Sequence, residues 1–290
     1  MSMARTPLLR RPRPKGSSGE LPEKVWTTTV LWLLIAVYGF PILWFVLSSF
    51  KPAGELFSYP LTLFTKHPTV SGYTQAWTSF DFARYFLNTL IVAVSATVLT
   101  IATSAMSGYA LAKYNNWWLK GFTLCILATT MLPGETILAP SFVVIRNLGL
   151  YNNLAGVVVP AVITATGTFM FRQFFVTVPN DLLEAARIDG SGELSTFFRI
   201  MLPLARPIMM TLAIISFQWR WNDYIWPLVI LSDPKQFTLQ IGVASIVGAQ
   251  NVNWSVLLGA SVMSMLPLLL LYLIFQKYVM DSSINSGLKD

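Results

Sequence analysis

In the stretch VPNDLLEAARIDGSGELSTFFRIMLPLARP, residues 178–207, charged and small side chains alternate between two long apolar segments. Glu184, Arg187 and Asp189 supply charge, Ala185 and Ala186 follow Glu184 with little bulk, and Gly190 comes next. These residue types suit docking rather than bond-making. A carboxylate beside two alanines lets a partner come close, and a charge-assisted contact there contributes about 1.5–3 kcal/mol when desolvated. A second group, Glu135, Arg220, Asn222 and Asp223 with Trp221, lies inside apolar sequence. A charge at the centre of a bilayer costs roughly 2.5–3.5 kcal/mol on insertion scales, so each one needs a reason. Amide, carboxylate and indole groups together can receive a polar solute. Alternatively, Arg220 and Asp223 pair on one helix face, or the tryptophans form an interfacial belt.

Bond-making chemistry is poorly supplied. The one histidine, His67, stands in a Pro/Thr-rich loop with no second His or Cys nearby, and a metal site needs several converging ligands. The one cysteine, Cys125, rules out an intramolecular disulfide and reads as a small packing residue. No buried Asp pair, His–Glu–His set or Ser–His arrangement appears, which sets aside an intramembrane enzyme. A Gly-rich loop ending in Gly-Lys-Ser/Thr is also missing from the sequence, so the chain is expected to hold no cofactor and to cradle no nucleotide phosphates itself.

The elements that must position these groups are membrane helices. The chain has 290 residues, 54% hydrophobic and 11% charged, against roughly 25% charged in a soluble domain. Charge-free runs such as Val25–Phe50, Tyr85–Ala112 and Asn147–Phe171 exceed the ~20 residues that cross a bilayer core. An all-α polytopic membrane protein with about six spans is expected, at 26–50, 85–111, 120–142, 153–176, 207–231 and 254–277. The transmembrane domain is placed at 25–278. The Pro/Ser/Gly-rich basic segment 1–24 reads as a disordered tail, and 279–290 as a second tail. Neither inverted repeats nor ion-coupling carboxylates of a secondary transporter are found.

Charge sets the orientation. With the N-terminus inside, the inner basic residues are Arg5, Arg10, Arg11, Arg13, Lys15, Lys24, Lys113, Lys120, Arg172, Arg187, Arg199, Arg206, Lys277 and Lys289. Lys51, Lys66, Arg84, Arg146, Arg220 and Lys235 remain outside. The asymmetry predicts cytoplasmic termini and a cytoplasmic loop at 177–206. It also accounts for the net charge of +7 without nucleic acid, and no nucleic-acid partner is expected. The outer connection 236–253 reads either as a re-entrant segment or as an ordinary loop helix.

Inside the loop, residues 182–188 are good helix formers, and Gly190 can take the left-handed conformation that ends a helix. Ser191 is a plausible N-cap for a second helix with Glu193 in its first turn, and Pro203 and Pro207 bend the chain back. Leu182, Leu183, Ala186 and Ile188 would project apolar surface toward a groove on a partner. A solvated connector, or one packed on its own membrane domain, is the alternative.

The run Glu184-Ala185-Ala186, three positions, Gly190, nine positions, Ile200, one position, Leu202-Pro203 resembles the signature of permease subunits of binding-protein-dependent ABC importers. SSFKPAGELF (48–57), YFLNTLIVA (85–93), SGYALAKY (107–114), MLPGETILAPSF (131–142) and RWNDYIWPL (220–228) are similar to the carbohydrate-import branch, which includes maltose, trehalose and glycerol-3-phosphate types. Residues 169–190 resemble the glycerol-phosphate type in particular. The ending INSGLKD departs from the Gly-rich ending common in maltose-like members. The resemblance implies the type I ABC importer permease fold and a bacterial or archaeal inner-membrane location. It implies a second permease subunit, two cytoplasmic ATPase subunits and an extracytoplasmic solute-binding protein as partners, with membrane lipid around them. Glu184, Ala185, Ala186, Asp189, Gly190, Ile200, Leu202 and Pro203 would then couple to the ATPase. Glu135, Trp221, Asn222 and Asp223 are candidates for the path of a sugar or sugar-like solute, glycerol-3-phosphate or a glycerophosphodiester being the alternative.

Overall fold

The computed structural model describes residues 20–60 and 62–287, with side chains described from 25 to 276. The described chain is helical. Helix α1, Glu20–Ser48, contains Pro41 and is largely exposed along its apolar length until its last turns. A bilayer or a neighbouring subunit must cover such a surface, because nothing else among the described residues does. The central element is α2, Phe82–Lys113. Its buried face carries Ala93, Ala96, Thr97, Thr100, Ser104, Ala105 and Gly108, small residues that let neighbouring backbones come close without a hydrophobic drive between helices. A Cβ added to Gly108 would lie 2.5 Å from the Phe171 Cβ and 2.8 Å from the Arg172 nitrogen. Hydroxyls complete the seam: Thr100 donates to the Ala161 carbonyl at 2.5 Å, and Ser107 and Thr168 share a hydrogen at 3.0 Å.

The third expected span is not one helix. Helices α3, Trp117–Thr129, and α4, Gly134–Asn147, meet at 112°. Pro133 caps α4, where its missing N–H costs nothing and its fixed φ starts a helix but cannot continue one. Cys125 is exposed on α3, so it is not the packing residue expected. The fourth span, Leu154–Thr177, comprises a short helical segment followed by α5, Ala165–Thr177, which is capped by the Thr164 hydroxyl on the Gly167 N–H.

Beyond the loop helices α6, Asp181–Ile188, and α7, Glu193–Thr196, the chain passes through a wide helical turn at Phe197–Met201. It then bends by 75° into α8, Arg206–Trp221. The fifth expected span therefore stops at Trp221, and a separate turn, Ile225–Ile230, follows. Pro227 explains the break: its ring would meet the carbonyl four residues back in a continuous helix. The segment expected as re-entrant or loop forms α9, Leu239–Val247, with Leu239, Ile241 and Ile246 buried. It is sewn to α2 by Asn88, which donates to the carbonyls of Lys235 and Phe237, and by the Thr89 hydroxyl, which accepts from the Leu239 N–H at 2.7 Å.

Helix α10, Trp254–Gly287, runs past residue 278, so the expected boundary of the second tail falls inside a helix. Likewise α1 begins within the segment expected as a tail; residues 1–19 and 288–290 lie outside the described residues. Among the described residues four helices are long and apolar enough to span a membrane, or up to six if each bent pair counts as one. Three apolar clusters hold the bundle: one at Val92, Ile145, Val157 and Ile230; one at Ala105, Tyr109, Phe171, Phe197 and Met201; and one at Phe82, Trp221, Leu239 and Ala260.

Candidate functional site

The loop 177–206 is a bent pair of helices tied at several points to the membrane domain. Helix α6 ends at Ile188, and Gly190 follows at φ 75°, the left-handed conformation expected for it. Its neighbour Ser191 is not the cap of α7. Gly192 holds that position without a side-chain bond, while the Ser191 N–H donates to Ala186 and its hydroxyl accepts from Thr196. The reason is geometric: the left-handed turn closes on Ala186 and uses Ser191 to finish α6, as a C-terminal motif does.

Helix α6 has two faces with different fates. Leu183, 6% exposed, and Ala186 are buried, Leu183 with Tyr109, Phe171, Phe175 and Phe197. These two residues therefore anchor the loop to its own domain rather than project from it. On the other face Glu184, Ala185 and Asp189 are exposed, with Leu182, Ile188 at 86% and Leu194 at 70%. Ile200, Leu202 and Pro203 stand apart from this surface. They occupy the wide turn and the short helix Leu202–Leu204, with Leu202 packed on the Tyr109–Phe197 cluster, and they form the bend that leads into α8.

Two polar ties missed in the sequence fix the loop to the end of α2. The Lys113 ammonium donates to the Val178 carbonyl at 2.5 Å and to Asn180 Oδ1 at 2.9 Å. Glu193 accepts from the Tyr114 hydroxyl at 2.6 Å through one oxygen and from Arg187 at 2.9 Å through the other. The Tyr114 bond and the Arg187 pair together hold the Glu193 carboxyl below its ordinary range. Burial, then the bond to Glu193, pushes the Tyr114 hydroxyl up. No local pattern signals these contacts, since Tyr114 and Glu193 are 79 residues apart.

The intramembrane group separates as well. Arg220 and Asp223 face each other at 3.7 Å, the structural alternative considered for them. Trp221 is 0% exposed; it stacks on Phe217, meets Phe86 edge-on and donates its Nε1 to the Ser264 carbonyl at 2.9 Å. It offers no face to a solute and is a packing residue. Asn222 and Glu135 are exposed. Arg220 Nε and Trp226 Nε1 are buried without a hydrogen-bond partner. Among the described residues no cluster of His, Cys, Asp or Glu could hold a metal ion.

Comparison with known proteins defines the class. Residues 104–281 match the family described as the binding-protein-dependent transport system inner membrane component, and the chain belongs to that family. It is a multi-pass membrane subunit of an ABC importer. Among its relatives, the arabinooligosaccharides transport system permease protein of Halalkalibacterium halodurans is 35% identical over 92% of this chain and 98% of its own. The diacetylchitobiose uptake system permease protein of Streptomyces coelicolor is 35% identical over 87% and 84%. The sn-glycerol-3-phosphate transport system permease protein of Yersinia pestis is 32% identical over 80% and 85%. A crystal structure of a bacterial ABC transporter involved in the import of the acidic polysaccharide alginate contains a chain of the same fold. The two align with a TM-score of 0.82 at 24% identity, covering 92% of this chain and 99% of that one.

Proposed function

We propose that this chain forms half of the translocation path for a sugar or short oligosaccharide. It pairs with a second, related permease subunit and draws its energy from two cytoplasmic ATPase subunits that bind ATP and Mg. An extracytoplasmic binding protein delivers the solute, and both termini of the chain are cytoplasmic. The observation that carries the coupling role is the two-faced α6. A loop that buries Leu183 and Ala186 in its own domain while leaving Leu182, Ile188 and Leu194 uncovered around the Gly190 turn presents apolar surface on a fixed support. Such a surface in water suits a groove on a partner. Closure of the ATPases would push on it, and because the same loop bends directly into α8, the push would reach the helices lining the path. Residues 169–190 and the Yersinia relative support a second reading, a glycerol-phosphate solute. The arabinooligosaccharide and diacetylchitobiose relatives, matched over more of this chain, favour the sugar.

The test is uptake into proteoliposomes holding the assembled transporter, with arabinooligosaccharides, diacetylchitobiose and glycerol-3-phosphate offered as labelled solutes. Uptake of a sugar that requires both internal ATP and the external binding protein is expected. Uptake of a sugar without ATP, or of glycerol-3-phosphate alone, would overturn the sugar-importer reading.

A further inference from the structure

The end of α2, the start of α3, the second half of α5 and the entry to α6 enclose a cavity of about 320 Å³. Its polar lining includes Lys113, Lys120, Arg172 and Asn180; three cations face it and no carboxylate does. Among the described residues none of the three takes part in an ion pair. Lys113 meets only the neutral oxygens of Val178 and Asn180, and Arg172 Nε is buried with no partner. Like charges gathered around one space disfavour one another unless an anion joins them.

The height of the cavity says which anion. Trp117 and Trp118 open α3, exposed and stacked with ring centroids 4.0 Å apart, and the exposed Phe122 and Leu124 continue the helix. Exposed tryptophans at the end of an apolar helix mark the headgroup layer, and Lys120, on the next turn, is exposed at the rim of the cavity. Basic pockets between membrane helices on the cytoplasmic side take anionic headgroups. We propose that this cavity binds the phosphate of an anionic phospholipid in the leaflet on the coupling-loop side. Because Lys113 and Asn180 both line the cavity and tie down the start of α6, a bound headgroup braces the loop at its root.

The experiment places the assembled transporter in nanodiscs of phosphatidylglycerol or of phosphatidylcholine and counts retained lipid by native mass spectrometry. Retained phosphatidylglycerol is expected, with little phosphatidylcholine, and with retention falling about fivefold for each cation removed. Lys120→Gln is the decisive variant, since an exposed rim residue can lose its charge without unfolding the bundle; Lys120→Arg should restore retention. Arg172→Gln is interpreted beside its own unfolding midpoint. Unchanged retention of phosphatidylglycerol in Lys120→Gln would overturn the site. Excess inorganic phosphate adding to the protein in phosphatidylcholine discs, in the wild type but not in Lys120→Gln, would overturn the lipid as its source.

Discussion

At φ 75°, Gly190 holds a conformation that costs a residue with a Cβ roughly 1–2 kcal/mol, yet a Cβ built there meets no atom within 4 Å. Gly108 has the reverse problem: an ordinary helical backbone but the Phe171 Cβ 2.5 Å from where its own would be. The two glycines should therefore fail differently. Gly108→Ala must separate α2 from α5, so it should lower the thermal midpoint of the purified subunit by a destabilisation of about 1–3 kcal/mol, typical of an overpacked core. Gly190→Ala should leave global unfolding nearly unchanged, because the strain is confined to an exposed turn. Gly190→Trp adds bulk to the surface proposed to meet the ATPase, so it should lose ATPase co-purification and uptake while inserting into the membrane normally. Equal midpoints for Gly108→Ala and wild type would contradict the packing argument, and full ATPase recovery with normal uptake in Gly190→Trp would contradict the docking one.

Among the elements, the loop helices were the most readable, since chain direction changes are written in local residue types. Gly190 announced its turn, and Pro203 with Pro207 the return toward α8. What escaped depends on distant partners. The burial of Leu183 and Ala186, of Trp221 and of Lys51, whose ammonium donates to the Thr62 carbonyl, follows from what folds over them, and periodicity carries no record of that. Lys51 is only 2% exposed, although an external loop lysine reads as solvated. The tie from Tyr114 through Glu193 to Arg187 is of the same kind. Removing its hydroxyl in Tyr114→Phe should cost about 0.5–1.5 kcal/mol locally and loosen α7 from α2. Faster hydrogen exchange across 187–196, with the α2 core unchanged, is the expected readout; unchanged exchange there would show that the tie holds nothing. Because the Glu193 carboxyl is held low, the tie is complete above the ordinary carboxylate range and is lost only as pH falls below it. Exchange in the loop should thus be flat with pH, once corrected for its intrinsic rate, through the neutral region.

For the whole molecule, the loop can transmit force only if it lies on the same side as the ATPases, and the exposed residues allow that to be tested. In a Cys125→Ser background, needed because Cys125 is itself exposed, Ile188→Cys places a thiol on an open position of α6, and Phe64→Cys places one in the connection before α2. With fourteen of the twenty basic residues assigned inside, an impermeant maleimide should label Phe64→Cys in intact cells and Ile188→Cys only after the cytoplasmic face is opened. Energy coupling then follows from the architecture. A chain with no phosphate-binding Gly-Lys-Ser/Thr loop should hydrolyse no ATP when purified alone. The assembled transporter should hydrolyse it faster when the loaded binding protein is added, because a two-state permease responds only to partners that favour one of its states. Labelling of Ile188→Cys from outside would remove the loop from the reach of the ATPases. Hydrolysis that follows the isolated chain through purification would remove the need for them.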